Sequence, residues 1–113
     1  MVADTNVITL VGRLTKDAEL KDAPGFSITF FTVATNRKSK DYNGNFIPEA
    51  SFFDVNAYGK YAEIITPSLK KGVQVIITGE LKQERWQDSS GSKRSRVVLV
   101  ANSIQILGGK KET

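Results

Sequence analysis

Apolar and polar positions alternate along this chain in stretches rich in Val, Ile, Thr and Phe. That period of two belongs to strands with one buried face, and the three-to-four spacing of helices is largely missing. Five strands are predicted on this pattern, beginning with 6–14 (NVITLVGRL). There Val7, Thr9 and Val11 point one way and Ile8, Leu10 and Leu14 the other, and both faces are apolar enough to expect cover on each. The second strand spans 26–37 (FSITFFTVATNR), with Phe31 and Val33 on one face, and the third spans 51–57 (SFFDVNA). In the third, Phe53, Val55 and Ala57 make the core face, whereas Phe52, Asp54, Asn56 and then Tyr58 fall on the other. Between these two strands a polar segment centred on Asn43-Gly44, residues suited to positive φ, should project as a hairpin finger.

From Lys60 to Leu69 the period changes. Tyr61, Ile64, Ile65 and Leu69 form a helical stripe that Pro67 keeps short. A long fourth strand covers 73–87, with Gly79 as a bulge, and the turn Asp88–Ser92 leads to a fifth strand at 94–107. Phe26, Phe30, Phe31 and Phe53 are assigned to the core or an interface, and Lys110–Thr113 to a frayed, disordered tail after a domain spanning 1–109. Three strands, a short helix and two strands is the order of a Greek-key OB-fold barrel, an all-β fold. A sandwich would want about seven strands.

Composition narrows the chemistry. At 113 residues, with 40% hydrophobic and 25% charged, the chain has room for one globular domain. Cysteine and histidine are both absent, which removes thiolate metal sites, disulfides, cysteine nucleophiles and every His-based catalytic pair. The carboxylates form no persuasive pair, and no phosphate-binding glycine motif is present. No catalytic residue, no metal and no cofactor is expected. A nuclease or other hydrolase would need a carboxylate-bound metal. Absence of a basic leader and of a long apolar run points to the cytoplasm and away from membranes. The net charge of +4 favours an anionic partner.

Aromatic side chains on outward positions among cations are the feature that most demands a function. Phe52, Tyr58 and Trp86 qualify, and rings that stack on bases between phosphate-contacting cations would bind a nucleic-acid strand of any sequence. Candidate cations are Arg13, Lys16, Arg37, Lys38, Lys40, Lys60, Lys82, Arg85, Lys93, Arg94 and Arg96. Outward aromatics also suit a protein-interaction or assembly module, and the architecture also serves RNA-binding and primosomal barrels.

The segments NVITLVGRLTKDAEL, TVATNRK, FFDVNAYGKYAE, LKKGVQVIITGELKQERWQDSSG and IQILGG occur in order and span most of the chain. Together they resemble the DNA-binding core of bacterial single-stranded-DNA-binding proteins. The resemblance implies an OB-fold homotetramer that binds and protects single-stranded DNA in replication, recombination and repair, associated with the nucleoid. It implies stacking by Phe52, Tyr58 and Trp86, and phosphate contacts by Lys60, Lys71, Lys82 and Arg85. Ser39 and Lys40 stand where many members carry a tryptophan, so one stacking platform is either missing or replaced by Tyr42 or Phe46 of the finger. The family's acidic-tipped tail is not in this sequence, and recruitment of replication and repair proteins is implied only for a chain that carries one.

Overall fold

A computed structural model describes residues 3–109, so the expected tail at 110–113 lies outside the described residues. Its strands are β1 (Ile8–Leu14), β2 (Glu19–Ala23), β3 (Phe26–Lys40), β4 (Phe46–Tyr58), β5 (Gln74–Gln87) and β6 (Lys93–Gly108). They form one sheet in the order β1-β5-β6-β4-β3-β2, and a further β1–β3 pairing closes five of them into the expected barrel. Pairing is antiparallel except between β4 and β6, where Val55 meets Leu99 in parallel register. β2 stays outside the closed ring, paired to the edge of β3 from Glu19↔Phe30 to Ala23↔Phe26.

Two glycines allow the closure. β1 passes from β5 to β3 around Arg13, and a Cβ on Gly12 would sit 2.7 Å from the Ala34 carbonyl oxygen. Gly79 lies at a register shift between β5 and β6, where a Cβ would come within 2.0 Å of the Val100 carbonyl oxygen. The bulge expected at Gly79 is therefore present, and it marks where β5 leaves the barrel.

Leu14, Phe31, Val33, Val55, Ala57, Val75, Ile77, Leu99, Ala101 and Ile104 fill the interior. Helix α1 (Gly59–Ile65) and a 3-10 turn (Thr66–Ser68) close one end with Ala62 and Leu69. Tyr61 adds a lock: its hydroxyl accepts from the Ile104 amide at 2.7 Å and donates to the Ile104 carbonyl at 3.3 Å. The helical stripe differs from expectation at Ile64, which faces solvent while Ala62 takes the buried place.

Three further readings change. The outer face of β1 is uncovered in the protomer, with Val7 and Val11 exposed. Of the four phenylalanines assigned to the core or an interface, Phe31 alone is fully in the core. In the protomer Phe26 and Phe53 are exposed and Phe30 is half-buried, which leaves these three only the interface half of that reading. The finger is a continuous ladder from Ala34↔Phe52 to Lys40↔Phe46, so the third barrel strand begins at Phe46 and not at Ser51. Pro48 is accommodated there because β4 has only β3 beside it.

Both projecting hairpins end alike. In Asp41–Asn45 the amides of Asn43 and Asn45 donate to Asp41 Oδ1, and in Asp88–Ser92 those of Ser90 and Ser92 donate to Asp88 Oδ1. Positive φ falls on the fourth residue of each loop, Gly44 at 81° and Gly91 at 84°, so Asn43 does not need it. These arms raise the radius of gyration to 16.4 Å, against roughly 13 Å for a compact chain of this size.

Candidate nucleic-acid interface

Strand parity builds the site. Opposed residues in a ladder share a face, so burial of Phe31, Val33, Val55 and Ala57 sends Phe26, Ile28, Phe30, Thr32 and Ala34 of β3 outward. Tyr58, Asn56, Asp54 and Phe52 of β4 stand opposite Ile28, Phe30, Thr32 and Ala34 on the same face. Asn56 also pairs with Val100, which carries this face onto β6 at Arg96 and Arg94, and from these onto Glu84 and Trp86 of β5. The three rings singled out from the sequence therefore share one outer surface. Phe52 is 64% exposed, Trp86 is 46% exposed, and Tyr58 is half-buried with its ring 6.3 Å from that of Phe26.

Three more rings lie on this surface, of which the sequence reading missed Phe26 and Phe30 and offered Phe46 only as a replacement for the absent tryptophan. Phe26 is 48% exposed, and Phe46 is 65% exposed on the finger with the parity of Phe52. Phe30 lies between the levels of Phe52 and Tyr58, opposite Asn56. The pattern held the signal, since fixing Phe31 and Val33 inside forces Phe30 and Phe26 outside. Between the two candidate replacements for the absent tryptophan, Phe46 is on this face, while Tyr42 lies in the turn beyond the ladder.

Cations alternate with the rings. The ammonium of Lys21 stands 5.5 Å from the Phe30 centroid, and that of Lys40 stands 5.3 Å from the Phe46 centroid. Lys38 has the same parity as Lys40, Lys82 that of Glu84 and Trp86, and Lys60 is exposed just after Tyr58. Lys71 belongs to a turn whose backbone amide donates to Asp17 Oδ1 at 2.8 Å. Arg37 and Arg85 have the opposite parity, opposed to Glu49 and Ser95, and Arg85 donates to Gln83 Oε1 at 2.7 Å. Arg13 is held elsewhere, by the carbonyls of Gly72 at 2.9 Å and Gly109 at 3.2 Å.

Two arginines on the ring face are already paired with carboxylates. Arg96 donates from Nε to Glu84 Oε1 at 2.9 Å and stands 3.7 Å from Asp54, which accepts from the Thr32 hydroxyl at 2.9 Å. That chain joins β5, β6, β4 and β3 across the outer surface. Arg94 donates to Asp88 Oδ2 at 2.9 Å, and the Ser90 hydroxyl with Arg94 lowers the Asp88 pKa to about 2. Both guanidiniums keep further N–H groups for an incoming phosphate. Among the described residues, no group of three or more His, Cys, Asp or Glu is placed to hold a metal ion. No helix among them is long and apolar enough to cross a membrane.

Comparison with known proteins follows the same line. Residues 5–107 match the model of the Single-strand binding protein family. The single-stranded DNA-binding protein of Treponema pallidum is 44% identical over 108 residues, covering 95% of this chain and 60% of that protein. Its counterpart in Wolinella succinogenes is 43% identical, covering 93% and 65%. The chain thus spans less than two thirds of the length of these relatives. Among solved structures, a Plasmodium falciparum SSB complex with ssDNA superposes with a TM-score of 0.85 at 19% identity, covering 96% of this chain and 99% of that one, which is a likeness of fold. A deletion mutant of the single-stranded DNA binding protein from Thermus aquaticus gives 0.81 at 26% identity, covering 93% of this chain and 51% of that one. With the family match over nearly its whole length, the chain belongs to the single-strand binding protein family.

Proposed function

We propose that this chain binds and protects single-stranded DNA without catalysis and largely without regard to sequence, in replication, recombination and repair at the nucleoid. The observation that carries the reading is the shared outer face of Phe52, Tyr58 and Trp86, extended by Phe26, Phe30 and Phe46 and interleaved with lysines. Flat rings accept any base, at about 1–3 kcal/mol for each stack. Lys38, Lys40, Lys60, Lys71 and Lys82 follow the phosphates, with Arg94 and Arg96 contributing their unpaired N–H groups. Names of the relatives, single-stranded DNA-binding proteins, point to the same ligand.

A second copy of the chain is the partner proposed for the uncovered apolar surface, giving a homotetramer. Val7 just before β1 and Val11 on it are exposed, and Phe53, Leu81 and Val97 are exposed around an apolar cavity of about 370 Å³. Exposed apolar groups gathered in this way mark interaction surfaces. Light scattering at rising concentration should give four chains per particle, and a monomer throughout would remove this part.

The test of DNA binding is a salt series with oligo-dT. If about six phosphates are neutralised, log affinity should fall against log salt with a slope of about −4. Trp86 fluorescence should change on saturation. A slope near zero, or an unchanged Trp86, overturns the reading.

A further inference from the structure

We propose that Glu84 is a positioning residue for DNA binding: from the β5–β6 arm it holds the Arg96 guanidinium against Asp54, so that one phosphate of the strand meets an arginine already set in place. The inference rests on the chain being a binder of single-stranded DNA. Backbone register makes the hold local. Glu84 and Arg96 are directly opposed in the β5–β6 ladder, so both side chains rise from one face with Cβ atoms about 5 Å apart. Arg96 donates from Nε to Glu84 Oε1 at 2.9 Å.

The other side of the guanidinium is held from the barrel. Arg96 Nη1 stands 3.7 Å from Asp54 Oδ2, brought alongside by the parallel β4–β6 pairing, and Asp54 is itself fixed by the Thr32 hydroxyl at 2.9 Å. Among the described residues, Arg96–Asp54 is the one ion pair that joins this arm to β4, since Arg94 pairs with Asp88 inside the arm. The third nitrogen, Nη2, donates to no group among the described residues. Arg96 lines a cleft of about 380 Å³ together with Lys16, Phe30 and Thr32, and a phosphate oxygen entering that cleft finds the two Nη2 N–H groups unoccupied.

The energetics favour a role in geometry over one in stability. Partly exposed ion pairs add little to folding, and two carboxylates beside one guanidinium oppose an incoming polyanion by their charge. An unpaired lysine would attract phosphate without that penalty, but as a point charge with no fixed direction. What the carboxylates supply is order: Glu84 is half-buried while the Arg96 head it holds is exposed. Immobilising a long side chain on binding costs about two- to tenfold in affinity, and here that ordering is complete before the strand arrives.

The test measures oligo-dT binding by fluorescence anisotropy across a salt series, for the whole chain and matched variants. Glu84→Gln and Glu84→Met lose the same charge, but only glutamine keeps an oxygen that accepts from Arg96 Nε. Their difference therefore isolates the hold from the charge. Glu84→Gln should bind about two- to tenfold more tightly than Glu84→Met. With Arg96→Met added to each, the two should bind alike, and the salt slope of the Glu84→Gln chain should become shallower by about 0.7, the share of one phosphate on a single strand. A disturbed fold in Glu84→Met would instead carry its deficit into the Arg96→Met background. Equal binding by the two Glu84 variants, a difference that survives Arg96→Met, or an unchanged slope overturns the positioning role. Tight binding alongside any of those results leaves the single-stranded-DNA reading standing without it, and no binding by the native protein removes that reading itself.

Discussion

The barrel and its two hairpin arms use the same strands under opposite conditions. Within the barrel each strand has one dry face, and Val33, Val55, Val75 and Ile77 are fully buried there. Beyond Phe52 on β4 and beyond Lys82 on β5 the ladders continue with solvent on both faces, held by backbone pairing, by the aspartate-capped turns and by contacts such as Arg96–Glu84. Phe46 and Trp86 remain exposed in the arms although each would be core material in the barrel. The difference teaches that the apolar residues that fold the chain and the exposed rings and cations proposed to meet the ligand lie in different parts of it. Apolar burial belongs to the barrel interior, the rings and cations to the outer face and arms.

The largest effect should come from the dry side of that division. Ile77→Ala removes a fully buried side chain from the barrel and should cost about 2–5 kcal/mol of folding stability. Urea unfolding measures it, and oligo-dT affinity of the folded variant should stay near that of the native protein. A comparable loss of affinity in the folded variant would mean that the interior shapes the binding face. The reverse experiment is Trp86→Ala, at an arm position 46% exposed. It should weaken oligo-dT binding by about 1–3 kcal/mol while leaving the urea midpoint within about 0.5 kcal/mol of native stability. A large drop in stability would make Trp86 a packing residue of the arm.

The same division explains what could be read from the sequence. Barrel strands were legible because one-sided burial imposes alternation, as with Phe31, Val33, Val55 and Ala57. β2 was not, because ELKDA is an edge strand almost wholly in solvent, and its place depends on the hairpin with β3. The start of β4 was hidden for a related reason: Pro48 and Glu49 read as loop, and only pairing with Lys38 and Arg37 makes them strand. The outward placement of Phe52, Tyr58 and Trp86 was legible from parity or from charged neighbours. Phe26 and Phe30 were lost by letting residue type outrank parity in a strand where Ser27 and Thr29 are buried and the phenylalanines between them turn outward. Charge pairing lay beyond reach, since Arg96 meets Glu84 only through the hairpin register and Asp54 only through the parallel β4–β6 contact.

The smallest effect should be confined to one arm tip and tests whether the arms answer independently of the barrel. The Ser90 hydroxyl and the Arg94 guanidinium hold the Asp88 pKa at about 2, below its ordinary 3.8. A carboxylate whose pKa is lowered by folding stabilises the folded form above the unfolded value, and that contribution disappears as pH falls through the folded value. The window for Asp88 therefore runs downward from about pH 4 to about pH 2. Across it, the Ser90 and Ser92 amide resonances should move with a midpoint near the lower end as their acceptor is protonated, while the Ile77 amide stays in place. Asp88→Asn should abolish that step. A midpoint at the ordinary value would mean that the turn's hydrogen bonds do not form in solution, and simultaneous movement of Ile77 would show that arm and barrel respond as one unit.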